Sequence, residues 1–168
     1  MTVSIGIEDE EAKTMITLWE EVLKVADGKY AQPEDLRLID RAVATWEQRK
    51  QVYYLLEQKE TEIVQRAIQL MQKSDRFHHS PVDNLGVERC QRDMVMGLRA
   101  CALAMLLQDE YLLQDRVLYW QRNVFLAMQL QYQGYKWLQQ AVKSILPENQ
   151  AAFILPYLQL AHEMMSGK

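Results

Sequence analysis

Apolar residues recur at the period of an α-helix along almost the whole chain, and no stretch alternates in the way a strand requires. Met15, Leu18, Trp19, Val22 and Leu23 follow the i, i+3, i+4, i+7 rule and predict a first helix over Asp9 to Val25. Asp27-Gly28 then reads as a stop, because glycine accepts the left-handed conformation past a helix end. Pro33 opens a second helix, where its missing N–H costs nothing, with Leu36, Ile39, Ala42 and Val43 expected on its inner face. Thr45 to Gln48 is expected to bend the path into a long helix over Trp46 to Lys73, with Val52, Leu55, Leu56, Ile63, Ala67 and Leu70 inward. Ser74 to Gly86 reads as a long loop, a kind of segment that often carries function. Further helices are predicted over Val87 to Leu107, Glu110 to Gln129 and Gln131 to Leu146. A last one runs from Glu148 to Met165, with Pro156 expected to kink it or end its first part.

Seven or eight helices joined by short connections predict an all-α, globin-like pack rather than an up-and-down bundle. Only 6 Gly and 4 Pro interrupt the chain, which agrees with helix throughout. Its 168 residues suit a single domain over 1–168 with a sizeable core. The net charge of −4 is spread without a basic run or stripe, which argues against nucleic acid as a partner. No run approaches the roughly 18 apolar residues of a membrane span, and Met1 to Glu11 lacks the pattern of a signal peptide. A cytoplasmic protein is expected. Cys90 and Cys101 fall on one predicted helix, which sets their Cα atoms about 16 Å apart. A disulfide tolerates less than about 7 Å, so both thiols are expected free, as in a reducing compartment.

Few residues offer chemistry. His78 and His79 are adjacent in the loop and His162 is remote, with no cysteine or carboxylate at a zinc-site spacing, so no metal site is expected. An axial histidine for haem is a minor reading. No nucleophile elbow, phosphate loop or H-E-x-x-H run occurs, and nothing asks for an enzyme. The run Arg89-Cys90-Gln91-Arg92-Asp93 stands out. On a helix Cys90 and Asp93 share a face, Arg92 lies to one side, and Arg89 adds a second cation. Cations beside a thiol lower its pKa, so Cys90 is expected to be reactive. The bland reading is a small buried cysteine beside surface charges.

The wider context resembles the phycobiliproteins, the allophycocyanin and phycocyanin family. Cys90-Gln91-Arg92-Asp93 followed by Leu98-Arg99 is similar to that family's Cys-x-Arg-Asp and Leu-Arg pattern. Asp27-Gly28-Lys29-Tyr30 and Glu34-Asp35-Leu36 resemble its Asp-Gly-Arg-Tyr and Glu-Leu run, and Asp115-Arg116-Val117-Leu118 its Asp/Glu-Arg-Val-Leu. Glu47-Gln48-Arg49, Glu62-Ile63-Val64 and the stretches Tyr135 to Ile145 and Ala151 to Ala161 fit the same order, so the likeness spans about residues 22 to 165. Three places differ. The loop lacks the family's Gly-Gly-Asn, Met96 and Gly97 stand where aromatic residues usually wall the pigment, and Ala102-Leu103 replaces a Thr-Tyr pair. Gly97 makes room either for a ligand or for a close helix crossing.

The resemblance implies a globin-like core over 27–168 with an N-terminal helical extension over 1–26 that pairs with a partner chain. It implies a linear tetrapyrrole of the phycocyanobilin kind, held by a thioether formed when the Cys90 thiol adds to its ring-A side chain. Asp93 would accept from the pyrrole N–H groups and favour the cationic pigment. Arg92, with Arg89, would pair with propionates. The implied setting is light harvesting in a homo- or hetero-oligomer, alongside other phycobilisome subunits of a cyanobacterium or alga, at the cytoplasmic face of the thylakoid. The alternative is a pigment-free module of the same fold, acting in assembly, degradation or stress.

Overall fold

The structure is a computed structural model that describes residues 18–74, 84–127 and 133–166. Its elements are α1 (Leu18–Val25), α2 (Pro33–Ala44), α3 (Trp46–Gln72), α4 (Asn84–Leu107), α5 (Glu110–Leu113), a π-helical segment (Gln114–Leu118), α6 (Tyr119–Ala127), α7 (Gly134–Ile145) and α8 (Glu148–Ser166). No strand occurs among the described residues. The first predicted helix is present from Leu18 on, whereas its residues 9–17, with Met15, lie outside the described residues. So do His78, His79 and Pro81 of the expected loop, Gln129 and Gln131. Asn84 to Gly86, expected in that loop, form the first turn of α4 instead.

Helices α3, α4, α7 and α8 make the centre, with α3 packed on α4 and α7, and α8 packed on α4 and α7. Helix α3 contributes Val52, Leu56, Ile63, Val64 and Ala67, so the inward stripe read from its periodicity is present, Leu55 and Leu70 lying at its half-buried margin. The small residues Cys101, Ala102 and Ala104 of α4, Ala141 of α7, and Ala151 and Ala161 of α8 are all buried. Small side chains let helix axes approach closely, at the short end of the usual 8–10 Å range.

Arg49 is the charged residue of this core, at 4% exposure. Its guanidinium donates to the carbonyls of Leu106 and Ala42, and its Nε to the Thr45 hydroxyl at 3.1 Å. Leu106 and Ala42 lie in the last turns of α4 and α2, whose carbonyls have no intrahelical donor and carry the negative end of the helix dipole. One cation therefore ties two helix ends to the start of α3.

Two expectations are corrected and a third is narrowed. Leu36 and Val43 of α2 face solvent, although Ala42 between them is buried. Among the described residues only α1 and the start of α3 pack on α2, which leaves it a narrow covered stripe. Helix α8 runs through Pro156 without ending. Pro156 is exposed, so its ring sits on the solvent side. The stretch from Glu110 is not one regular helix. Five residues take π geometry, and Leu113 and Leu118, five apart, are both buried by it.

Candidate functional site

The four candidates lie on the first half of α4, where the helix emerges from the core. The buried stripe of this helix runs Met94, Leu98, Cys101 and Met105. Cys90 precedes Met94 by one turn and is half-buried; Asp93, beside Met94, is half-buried too. Cys90 and Asp93 thus share a face at the edge of the core. Arg89 and Arg92 are exposed. The structure therefore brings thiol and carboxylate together and sets the two guanidinium groups at the rim.

The electrostatics correct one expectation. Cys90 is not activated by its cationic neighbours. Burial pushes its thiol pKa up, the Asp93 charge adds to that, and a backbone hydrogen bond offsets only part. Arg89 and Arg92 reach into water, where their field is screened. Burial also raises the Asp93 carboxyl above its usual value, against the pull of Arg92. A carboxylate so placed gains from any cationic or N–H-bearing partner that replaces its lost water.

Behind this pair the helix is tightly backed. A Cβ built on Gly97 would meet the Tyr135 ring at 2.7 Å and its hydroxyl at 2.9 Å. Tyr135, from α7, is 1% exposed, and its hydroxyl donates to Gln121 Oε1 at 2.7 Å. Of the two uses of Gly97 left open by the sequence, the structure takes the close helix crossing. Tyr135 and Gln121 were not singled out from the sequence; the glycine in a helix interior was the one signal that a bulky neighbour had to fit somewhere. Arg99 and Glu60 were missed as a pair. Arg99 Nε and Nη2 each donate to a Glu60 carboxylate oxygen at 2.7 Å, joining α4 to α3.

Cys101 is a core residue. It has no exposure, its pKa is pushed far up by burial, and its thiol lies 3.7 Å from the Tyr157 carbonyl. Neither cysteine is in a disulfide. A surface depression of about 380 Å³ between α3 and α7 is lined by Glu62, Gln65, Arg66, Gln69, Ser144 and Ile145. None of its wall belongs to α4, so it is separate from the candidate site. Among the described residues no three metal-ligating side chains cluster, and no helix is long and apolar enough to cross a membrane.

A family model described as Phycobilisome protein matches residues 22–165, a span that holds Arg89, Cys90, Arg92 and Asp93. No curated protein matches the chain.

Proposed function

The chain belongs to the phycobilisome protein family, and from that membership we propose that it is a light-harvesting or light-related subunit that carries a linear tetrapyrrole on Cys90. The all-α, globin-like fold is that of the family. The observation that carries the reading is the pairing of Cys90 and Asp93, half-buried on one face of α4 within the matched span. The donor set fits an open-chain pigment: a thiol to anchor it, a partly desolvated carboxylate for its pyrrole N–H groups, and exposed cations for its propionates.

The Cys90 thiol would hold the pigment by adding across the ring-A double bond, its sulphur on one carbon and its proton on the neighbouring one. A C–S bond forms, a carbon–carbon π bond is consumed, and no oxidant or leaving group is involved. Burial and Asp93 both raise the Cys90 thiol pKa, which disfavours the thiolate that such an addition would use. Asp93 would accept from the inner N–H groups and favour the cationic form, and Arg92 and Arg89 would pair with the propionates. The bound pigment supplies light absorption; the protein holds it extended and slows its torsional decay.

The reading extends to assembly. It makes residues 1–168 one domain, of which 1–26 extend the core toward a partner subunit, and places the protein on the cytoplasmic side of the thylakoid. Leu23, Tyr30 and Val43 are 71, 93 and 65% exposed, and an apolar surface of that kind is what a subunit interface covers.

The test is co-expression with enzymes that make phycocyanobilin. The expected product is a coloured protein whose band fluoresces with zinc on a denaturing gel. Colour is lost in Cys90→Ala and kept in Cys101→Ala. A colourless wild type under those conditions overturns the proposal and leaves the pigment-free module.

A further inference from the structure

Helix α1 packs on α2, and α2 has little apolar grip on the rest of the chain. Among the side chains described in α2, Ala42 is buried and Ile39 half-buried, while Leu36 and Val43 face solvent. Burial of one methyl group and part of an isoleucine holds a helix only weakly. A single residue, Thr45, separates α2 from α3. It sits at φ −100° and ψ 0°, outside the helical well, and its two torsions decide where the pair of helices points. Arg49 spans this joint. Its guanidinium donates to the Ala42 carbonyl on the α2 side and to the Leu106 carbonyl in the last turn of α4. Its Nε donates to the Thr45 hydroxyl at 3.1 Å, and that hydroxyl donates to the Arg41 carbonyl at 3.4 Å. The Trp46 ring centre lies 5.5 Å from the guanidinium carbon, within reach of cation–π attraction. Among the described residues Arg49 has no carboxylate partner. A buried cation without a counter-charge is a poor device for stability, and what its planar fork supplies is fixed direction.

We propose that α1 and α2 form an arm and that Arg49 is the positioning residue that sets its bearing. The guanidinium latches the last turn of the arm to the last turn of α4, and the joint at Thr45 cannot turn while both carbonyls are held. Carbonyls on two separate helices need donors at fixed angles, which a guanidinium has and an ammonium on a flexible stem lacks. The latch is a property of the free chain and depends on neither pigment nor partner. Its use rests on the assembly reading above. There it presents Leu23 and Val43 to a partner chain at one angle, so less freedom is lost on association.

The experiment is pulsed electron paramagnetic resonance on the full chain with Cys90→Ser, diluted in unlabelled chain so that only distances within one copy are read. Cys101 is fully buried and takes no label. Spin labels at Lys29→Cys, between α1 and α2, and Gln140→Cys, on α7, report the arm. Labels at Gln65→Cys, on α3, and Gln140→Cys report the body, and all three positions are exposed. The expected result with Arg49 present is one narrow arm distance. Arg49→Met broadens it at least twofold and Arg49→Lys broadens it less, while the body distance stays narrow. Thr45→Val, which removes the hydroxyl that orients Nε, moves the arm distance in the same direction and decides the matter if Arg49→Met does not fold. An arm distance that stays narrow in the folded variants overturns the proposal. Equal broadening of both distances also overturns it, because Arg49 is then a general core residue. A chain that is monomeric in light scattering yet shows the expected broadening supports the latch and counts against the assembly reading alone.

Discussion

Cys90 and Asp93 work against each other, and that antagonism is measurable. The carboxylate raises the thiol's pKa, so Asp93→Asn is expected to lower it and to speed alkylation of Cys90 by iodoacetamide near pH 8. Cys101, fully buried, stays unreactive in the folded chain. An Asp93→Asn variant that reacts no faster removes the coupling. The stability consequence has a definite sign. The Asp93 carboxyl is raised on folding, so its contribution is fully present below the unfolded pKa and is lost as pH climbs through the folded one. Asp93→Asn is therefore expected to be the more stable protein at pH 7, with the two melting temperatures converging in acid. The sequence showed which four residues come together on the first half of α4. It did not show the direction of the thiol's shift, because that depends on depth. Arg89 and Arg92 reach water while Cys90 and Asp93 do not fully, and a one-dimensional spacing cannot tell the two apart.

The geometry of the crossing of α4 and α7 depends on a single absent side chain. Adding a methyl at Gly97 must move a tyrosine that is fully buried and tied to Gln121. Overpacking of this kind costs roughly 1–3 kcal/mol, against a helix-propensity gain near 1 kcal/mol. Gly97→Ala is thus expected to lower unfolding free energy by about 1 kcal/mol in urea titrations. In a Tyr135→Leu background the same change should be neutral or stabilising, and additivity between the two would refute the contact. Period-based reading found the inner stripe of α3 because both flanks of that helix are covered by others. It misplaced Leu36 and Val43 because α2 lies at the margin, where an amphipathic pattern can face a neighbour outside the chain. Arg49 was legible only as part of a motif. Its task of joining the ends of α2 and α4 arises from residues 57 positions apart and leaves no periodic trace.

At the scale of the whole molecule the exposed apolar surface is divided. Leu23, Tyr30, Leu36 and Val43 mark the α1–α2 end, and Met96 and Leu103 mark α4. Leu23→Glu and Val43→Glu are expected to reduce oligomer mass in light scattering. Monomer stability should stay within about 0.5 kcal/mol, as for most surface changes. An unchanged mass would mean that this end is not an interface. The all-helical class and its order of elements were legible in the sequence, since every long segment kept one period. The π segment was not, because it looks like any other stretch of helix until two leucines five apart both turn out to be buried. It acts as a phase adjuster holding one surplus residue. Were the same five residues wound as ordinary α-helix with none removed, all that follows would swing by about 100° about the axis. Gln121 would then turn away from Tyr135, and the outward-looking Tyr119 and Trp120 would take a new bearing. The winding of the chain between two leucines thus governs how firmly a helix two elements earlier is backed at its glycine.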